Sequence, residues 1–214
     1  IGGNGSLTLG GTVNDIAAGT STLTQVGSGT LTFSNTVGAA NALAAVTTSA
    51  GQTTAINGGS VRTTGAQTYG SSVTSSGATT LTSTSGGNIT ANNSSNDFNG
   101  DLILSTSGNA SIVDSNALAL GASSVGTLTA QTLIGDLTLN GAITATAAGT
   151  GDWIVLAAGG NFVNNVGAAA LNPGTGRWLV YSTSPAGSFE NGLTGAAGST
   201  LPRLYNRTYA GNPP

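Results

Sequence analysis

The tightest cluster of residues able to do chemistry is Asp97-x-Asn99-x-Asp101, whose oxygen-bearing side chains at alternate positions match the first three ligand positions of a calcium loop. A complete loop of that type needs Gly at its sixth position and a bidentate Glu at its twelfth. Those positions hold Leu102 and Gly108, which excludes an EF-hand site. The glycine-paired nonapeptide that binds calcium in other repeat proteins is also missing. The cluster reads as a solvated Asx-rich turn. Asp97, Asn99 and Asp101 stay as candidate binding residues, no metal is assigned to them, and no cofactor is expected.

Asp97, Asp101 and Asp136 are also the carboxylates to weigh for acid–base work on a glycan. That chemistry needs two carboxyl groups held several ångströms apart, one of them with a raised pKa. Only seven Asp and Glu are scattered along 214 residues, and the chain has no His, Lys or Cys to act as another base or nucleophile. Ser and Thr are abundant, but nothing accompanies them that would activate a hydroxyl. The chain is therefore expected not to be an enzyme. Its only cations are Arg62, Arg177, Arg203 and Arg207, against a net charge of −3. Neutralising a phosphate backbone takes clustered Lys or Arg, so nucleic acid is not an expected partner.

The elements that would carry these residues are short strands. Gly recurs every few residues and β-branched Thr, Val and Ile fill the gaps, which disfavours helix over the first three quarters of the chain. Alternating runs return at Leu7-Thr8-Leu9, Leu31-Thr32-Phe33, Leu102-Ile103-Leu104, Leu118-Ala119-Leu120 and Leu137-Thr138-Leu139. Between them stand turn clusters such as Asn57-Gly58-Gly59 and Gly86-Gly87-Asn88. From Leu102 onward the runs repeat at about 20 residues, within the range of stacked solenoid rungs. One such rung buries too little to stand alone, and stacking supplies both its core and its hydrogen bonds. The expected fold is all-β, a right-handed parallel β-helix, or β-solenoid. The rival is an antiparallel sandwich, whose hairpin signals would be Asn57-Gly58 and Asn140-Gly141, but these lie within Gly-rich stretches rather than at regular hairpin intervals.

Charged residues make up 5% of the chain and apolar ones 38%. The core can therefore be filled, while the surface must be built of Thr, Ser, Asn, Gly and Ala. The Thr-x-Thr pairs at Thr22 and Thr24, Thr30 and Thr32, Thr80 and Thr82, and Thr127 and Thr129 should face solvent wherever the intervening Leu faces the core. Such a ladder could suit ice or a carbohydrate, but its uneven spacing argues against a regular lattice and β-propensity explains it equally well. Asn-x-Ser/Thr sequons at Asn4, Asn88, Asn92, Asn93, Asn109 and Asn206 are expected of such a composition. No apolar run approaches the roughly 20 residues of a membrane helix.

After about residue 150 the composition shifts. Trp153, Trp178, Tyr181, Tyr205 and Tyr209 all fall there, with four of the five prolines from Pro185 onward. We read residues 1–165 as the repeat region and 166–214 as a terminal rung, cap and extended tail, since bulky aromatics and prolines cover exposed strand edges. Trp178 and Tyr181 double as candidates for an aromatic binding surface.

The stretch AINGGSVRTTGAQTYGSSVTSSGATTLTSTSGGNIT from Ala55 to Thr90, the NDFNG step from Asn96 to Gly100, and LAAGGNFVNN with GRWLVYSTSP between Leu156 and Pro185 resemble the filamentous-haemagglutinin-like large exoproteins of Gram-negative bacteria. The resemblance implies a secreted or cell-surface β-helix, exported through an outer-membrane partner, that mediates adhesion, aggregation or biofilm formation. The amino-terminal secretion domain of such exoproteins is not evident, as expected of a segment from nearer the carboxyl end. Partners would be host or bacterial surface glycans, matrix, or sister cells. The alternative is a fibre subunit, a homo-polymer joined by end-to-end strand stacking.

Overall fold

The computed structural model describes residues 2–184, 186–194, Tyr209 and Gly211. Among these, every regular element is a strand of two to six residues, and none is a helix. All strand pairs are parallel, so the hairpins of a sandwich do not form. The chain is a parallel β-solenoid of about 8 turns.

Each turn lays down up to three strands. Face one is a single sheet that runs in sequence order through Gly2–Gly3, Thr22–Gly27, Ala45–Thr48, Gln67–Tyr69, Ile89–Ala91, Asn109–Asp114, Thr127–Thr132, Asp152–Ala157 and Arg177–Tyr181. Face two begins with Leu7–Leu9, Thr30–Phe33, Thr53–Ile56, Ser72–Ser75 and Asp97–Phe98, and continues with Leu118–Leu120, Leu137–Leu139 and Phe162–Asn164. Face three holds Ser60–Thr63, Thr79–Ser83, Asp101–Ser105, Ser123–Val125, Ile143–Ala145 and Leu171–Asn172. Asp101–Ser105 joins the last two faces into one sheet, because its start pairs with Leu118–Leu120 and its end with Ser123–Val125.

Two dipeptides that resemble hairpin turns are corners instead. At Asn57-Gly58, both backbone N–H groups donate to the carbonyl of Phe33 on the preceding turn, at 2.9 Å each. A Cβ on Gly58 would run into the Asn35 backbone, so only glycine lets the turns approach this closely.

Side-chain alternation sends one set of residues inward. On face one the register stacks Leu23, Val46, Gln67, Ile89, Ala110, Leu128, Ile154 and Trp178 in one inner column. A second column holds Gln25, Thr48, Tyr69, Ala91, Ile112, Ala130, Leu156 and Val180. With Phe33, Leu81, Leu104, Leu120, Leu139 and Phe162 from the other faces, these form one continuous core. Burying each large apolar side chain contributes about 1.5–3 kcal/mol, and each turn depends on its neighbours to do so.

The core also contains polar side chains, several of them hydrogen-bonded within a turn or across turns. Tyr69 donates to Gln67 Oε1 at 3.0 Å, and Gln67 Nε2 donates to the carbonyls of Val61 at 3.1 Å and Thr82 at 2.9 Å. Burial pushes the Tyr69 phenol well above its ordinary range. Where face one turns into face two, Asn96 and Asp114 satisfy backbone groups that the corner leaves outside the ladders. Asp114 accepts from the N–H of Phe98 at 2.8 Å and of Asn116 at 2.9 Å. Its carboxyl is pushed up by burial, partly offset by those two N–H groups.

The expected strands Trp153 to Leu156 and Trp178 to Tyr181 lie within Asp152–Ala157 and Arg177–Tyr181. Stacking continues past residue 165, as far as a parallel bridge between Val163 and Phe189. The tail expected beyond this point falls outside the described residues at 195–208, 210 and 212–214, which include Pro202, Arg203, Tyr205, Asn206 and Arg207.

Candidate functional site

The outer columns of face one show what the solenoid presents to its surroundings. Thr24, Thr47, Thr68, Thr90, Ser111 and Thr129 stack in one outward column, followed by Val155 and Leu179. Turns of unequal length still carry these hydroxyl-bearing residues in register. The steps range from 18 residues between Asn109 and Thr127 to 26 between Leu128 and Ile154. The corners absorb the difference in length, so the strands keep register. The outward Thr-x-Thr pairs are as expected: Leu31, Leu81 and Leu128 between them are buried.

A neighbouring outward column runs Val113, Gln131, Ala157 and Tyr181. Parallel neighbours lie about 4.8 Å apart, which places Gln131 and Tyr181 about 10 Å apart with the single methyl of Ala157 between them. The small residue leaves a notch. Tyr209 closes it from outside, its ring edge-on to Tyr181 with centroids 5.7 Å apart and planes at 69°. The result is a pocket of about 210 Å³ lined by Gln131, Thr132, Leu133, Ala157, Ala158, Gly159, Tyr181, Ser182, Thr183 and Tyr209.

Its polar groups differ in what they can still bond. Thr132 Oγ1 donates to the Gly135 carbonyl at 2.6 Å and accepts from Gly159 N–H at 2.9 Å, so it braces the wall. Thr183 Oγ1 donates to the Gly159 carbonyl at 2.6 Å and keeps lone pairs to accept. Ser182 Oγ accepts from Ser188 Oγ at 3.0 Å and keeps its proton to donate. The half-buried Gln131 amide makes no hydrogen bond to another described residue. Apart from the two tyrosines, no described lining residue is ionisable. On the same sheet, the exposed Arg177 guanidinium pairs with both oxygens of Asp152, which holds the Asp152 carboxyl below its usual range.

The structure does not bring the five sequence candidates together. Tyr181 is in the pocket wall, whereas the half-buried Trp178 sits in the inner column on Ile154 and packs against the core. Asp97 lies on face two, Asp101 on face three and Asn99 in the corner between them, and each links a different pair of turns. Asp97 Oδ1 accepts from Asn116 Nδ2 at 3.1 Å, and Asn99 Nδ2 donates to the Ser75 carbonyl at 3.1 Å. Asp101 Oδ1 accepts from Asn140 Nδ2 at 2.7 Å, and Asn140 Oδ1 in turn accepts from Asn165 Nδ2 at 2.8 Å. Between the two carboxylates the chain turns at Gly100, φ 85°. No group of three or more His, Cys, Asp or Glu side chains gathers among the described residues. Sequence reasoning missed Gln131, Ala157, Ser182 and Thr183, because only the inter-turn register makes them neighbours of Tyr181.

Compared with known proteins, the chain matches no family model, no curated sequence and no solved structure.

Proposed function

We propose that this protein is a non-enzymatic scaffold of the bacterial surface-adhesin kind, a segment of a filamentous-haemagglutinin-like exoprotein that attaches cells to glycans, matrix or one another. The observation that carries the reading is the outer surface itself. A parallel stack of about 8 turns presents long, in-register columns of neutral hydroxyls and amides, such as Thr24 to Thr129 on face one. Stacking commits the inward residues and backbone groups to structure and leaves the outward ones to contact partners. Export through an outer-membrane partner and display at the surface of a Gram-negative cell belong to the same reading.

The test is binding of the purified protein to glycan arrays, matrix proteins and bacterial or host cells, with electron microscopy of the same sample. Saturable binding by monomers supports attachment. Filaments that lengthen with concentration and bind none of these surfaces would replace it with the self-assembling fibre, joined end to end by strand pairing.

A further inference from the structure

We infer that the notch between Gln131 and Tyr181 is a binding subsite for one uncharged sugar ring of a surface glycan. The inference rests on the reading of the protein as an attachment scaffold and gives that reading a location and a ligand chemistry.

A pyranose ring has an apolar C–H face and a rim of hydroxyls that both donate and accept. The pocket offers the matching set. The Tyr181 and Tyr209 rings supply aromatic walls inclined at 69° to each other, and Ala157 supplies the apolar floor. Around them stand the Gln131 amide, which can donate and accept, the Ser182 hydroxyl with a proton to give, and the Thr183 hydroxyl with lone pairs to receive. Few polar groups fixed around an apolar, aromatic surface is the usual make-up of a small-molecule site.

Size and charge narrow the choice. At about 210 Å³ the pocket is smaller than the roughly 300–1,000 Å³ clefts that enclose drug-sized ligands, so it takes one ring. An anionic sugar would bring a carboxylate with no cation among the described lining residues to meet it. A peptide strand is disfavoured for a separate reason. The strands beneath the notch, Thr127–Thr132 and Asp152–Ala157, are paired on both sides within face one, so they offer no free edge for strand addition.

A ligand of this size, at the modest efficiency per atom of ordinary ligands, binds with a Kd on the order of 1 mM, and several copies on one surface would act through avidity. The experiment is saturation-transfer NMR and titration of the full chain with methyl glucoside, methyl galactoside, N-acetylglucosamine and sialic acid. It is repeated with Tyr181→Ala, Ala157→Leu and the same-face control Thr68→Ala, each checked for folding by circular dichroism. We expect a neutral sugar to bind and sialic acid not to. Both Y181A, which removes a wall, and A157L, which fills the notch, should weaken binding at least about tenfold, while T68A leaves it unchanged. Sugar binding that survives folded A157L would overturn the site. Attachment to cells that persists after periodate destroys their glycans, with no sugar bound in solution, would also overturn it while the attachment reading stands. Capture of a peptide in the notch would do the same. Failure to attach to any surface would instead remove the attachment reading on which the site depends.

Discussion

Replacing Asn96 by Ala should uncouple three consecutive turns. The side chain is fully buried where face one turns into face two. Its Oδ1 accepts from Val73 N–H at 2.7 Å, and its Nδ2 donates to the carbonyls of Ala91 at 2.8 Å and Val113 at 2.9 Å. Those partners belong to the turns before, around and after it. Alanine supplies none of these bonds, and it leaves the buried Val73 N–H and Ala91 carbonyl and the partly buried Val113 carbonyl without this partner. At about 1–1.3 kcal/mol net per bond the loss is about 3–4 kcal/mol. For a chain of this length that corresponds to a fall of roughly 6–16 °C in Tm. In a linear stack the same loss can also divide the transition, because turns on either side of a weak interface unfold separately. Thermal and urea unfolding followed by far-UV circular dichroism would measure this. The control is Asn92→Ala, since exposed Asn92 only accepts from Ser111 Oγ and its loss should stay within about 0.5 kcal/mol. A single, unshifted N96A transition, or an N92A loss as large, would refute the reasoning.

Glycine substitutions should divide by what lies beneath them. Gly58→Ala drives a methyl into the Asn35 backbone and should cost about 1–3 kcal/mol, whereas Gly77→Ala meets nothing within 4 Å and should be neutral to slightly stabilising; equal urea midpoints for the two would contradict this. The amide nitrogen and oxygen of Gln52 are buried with no hydrogen-bond partner among the described residues, so Gln52→Met, similar in shape and free of polar atoms, should raise stability by about 1 kcal/mol, and a comparable loss in urea titration would show the amide to be paired. Asp15 accepts from Thr20 Oγ1, from Ser21 N–H and Oγ, and from the N–H groups of Thr20 and Ile16, which holds its carboxyl well below the usual range. A depressed folded value means that this stabilisation is complete above the unfolded pKa of about 3.9 and is lost as pH falls through the folded value. Asp15→Asn should therefore lower Tm at neutral pH and lie closer to wild type below about pH 4; a gap that does not narrow there would disprove the linkage.

The sequence by itself determined that the chain forms short strands separated by tight corners, because the signals for both are local. In Leu118-Ala119-Leu120 and Leu137-Thr138-Leu139, alternation within three residues already decides which side chains go inward, and Asn57-Gly58-Gly59 already marks a corner. Parallel stacking followed as well, since strands this short and so often broken by glycine cannot bury themselves except on copies of their own kind. Register was a different matter. Turns of unequal length place no residue above another until the corners have absorbed the surplus, and that depends on which inward side chains and backbones fit together. Only the tertiary structure aligned Thr24 through Thr129, and only it put Asp97 and Asp101 on different strands with partners on different turns. It likewise buried Asn96, whose neighbours in sequence give no sign of the three turns it ties together. The pocket belongs wholly to this second level: Gln131, Ala157 and Tyr181 are distant along the chain, and they meet because parallel pairing carries one residue of each turn to the same position about 4.8 Å further along the stack.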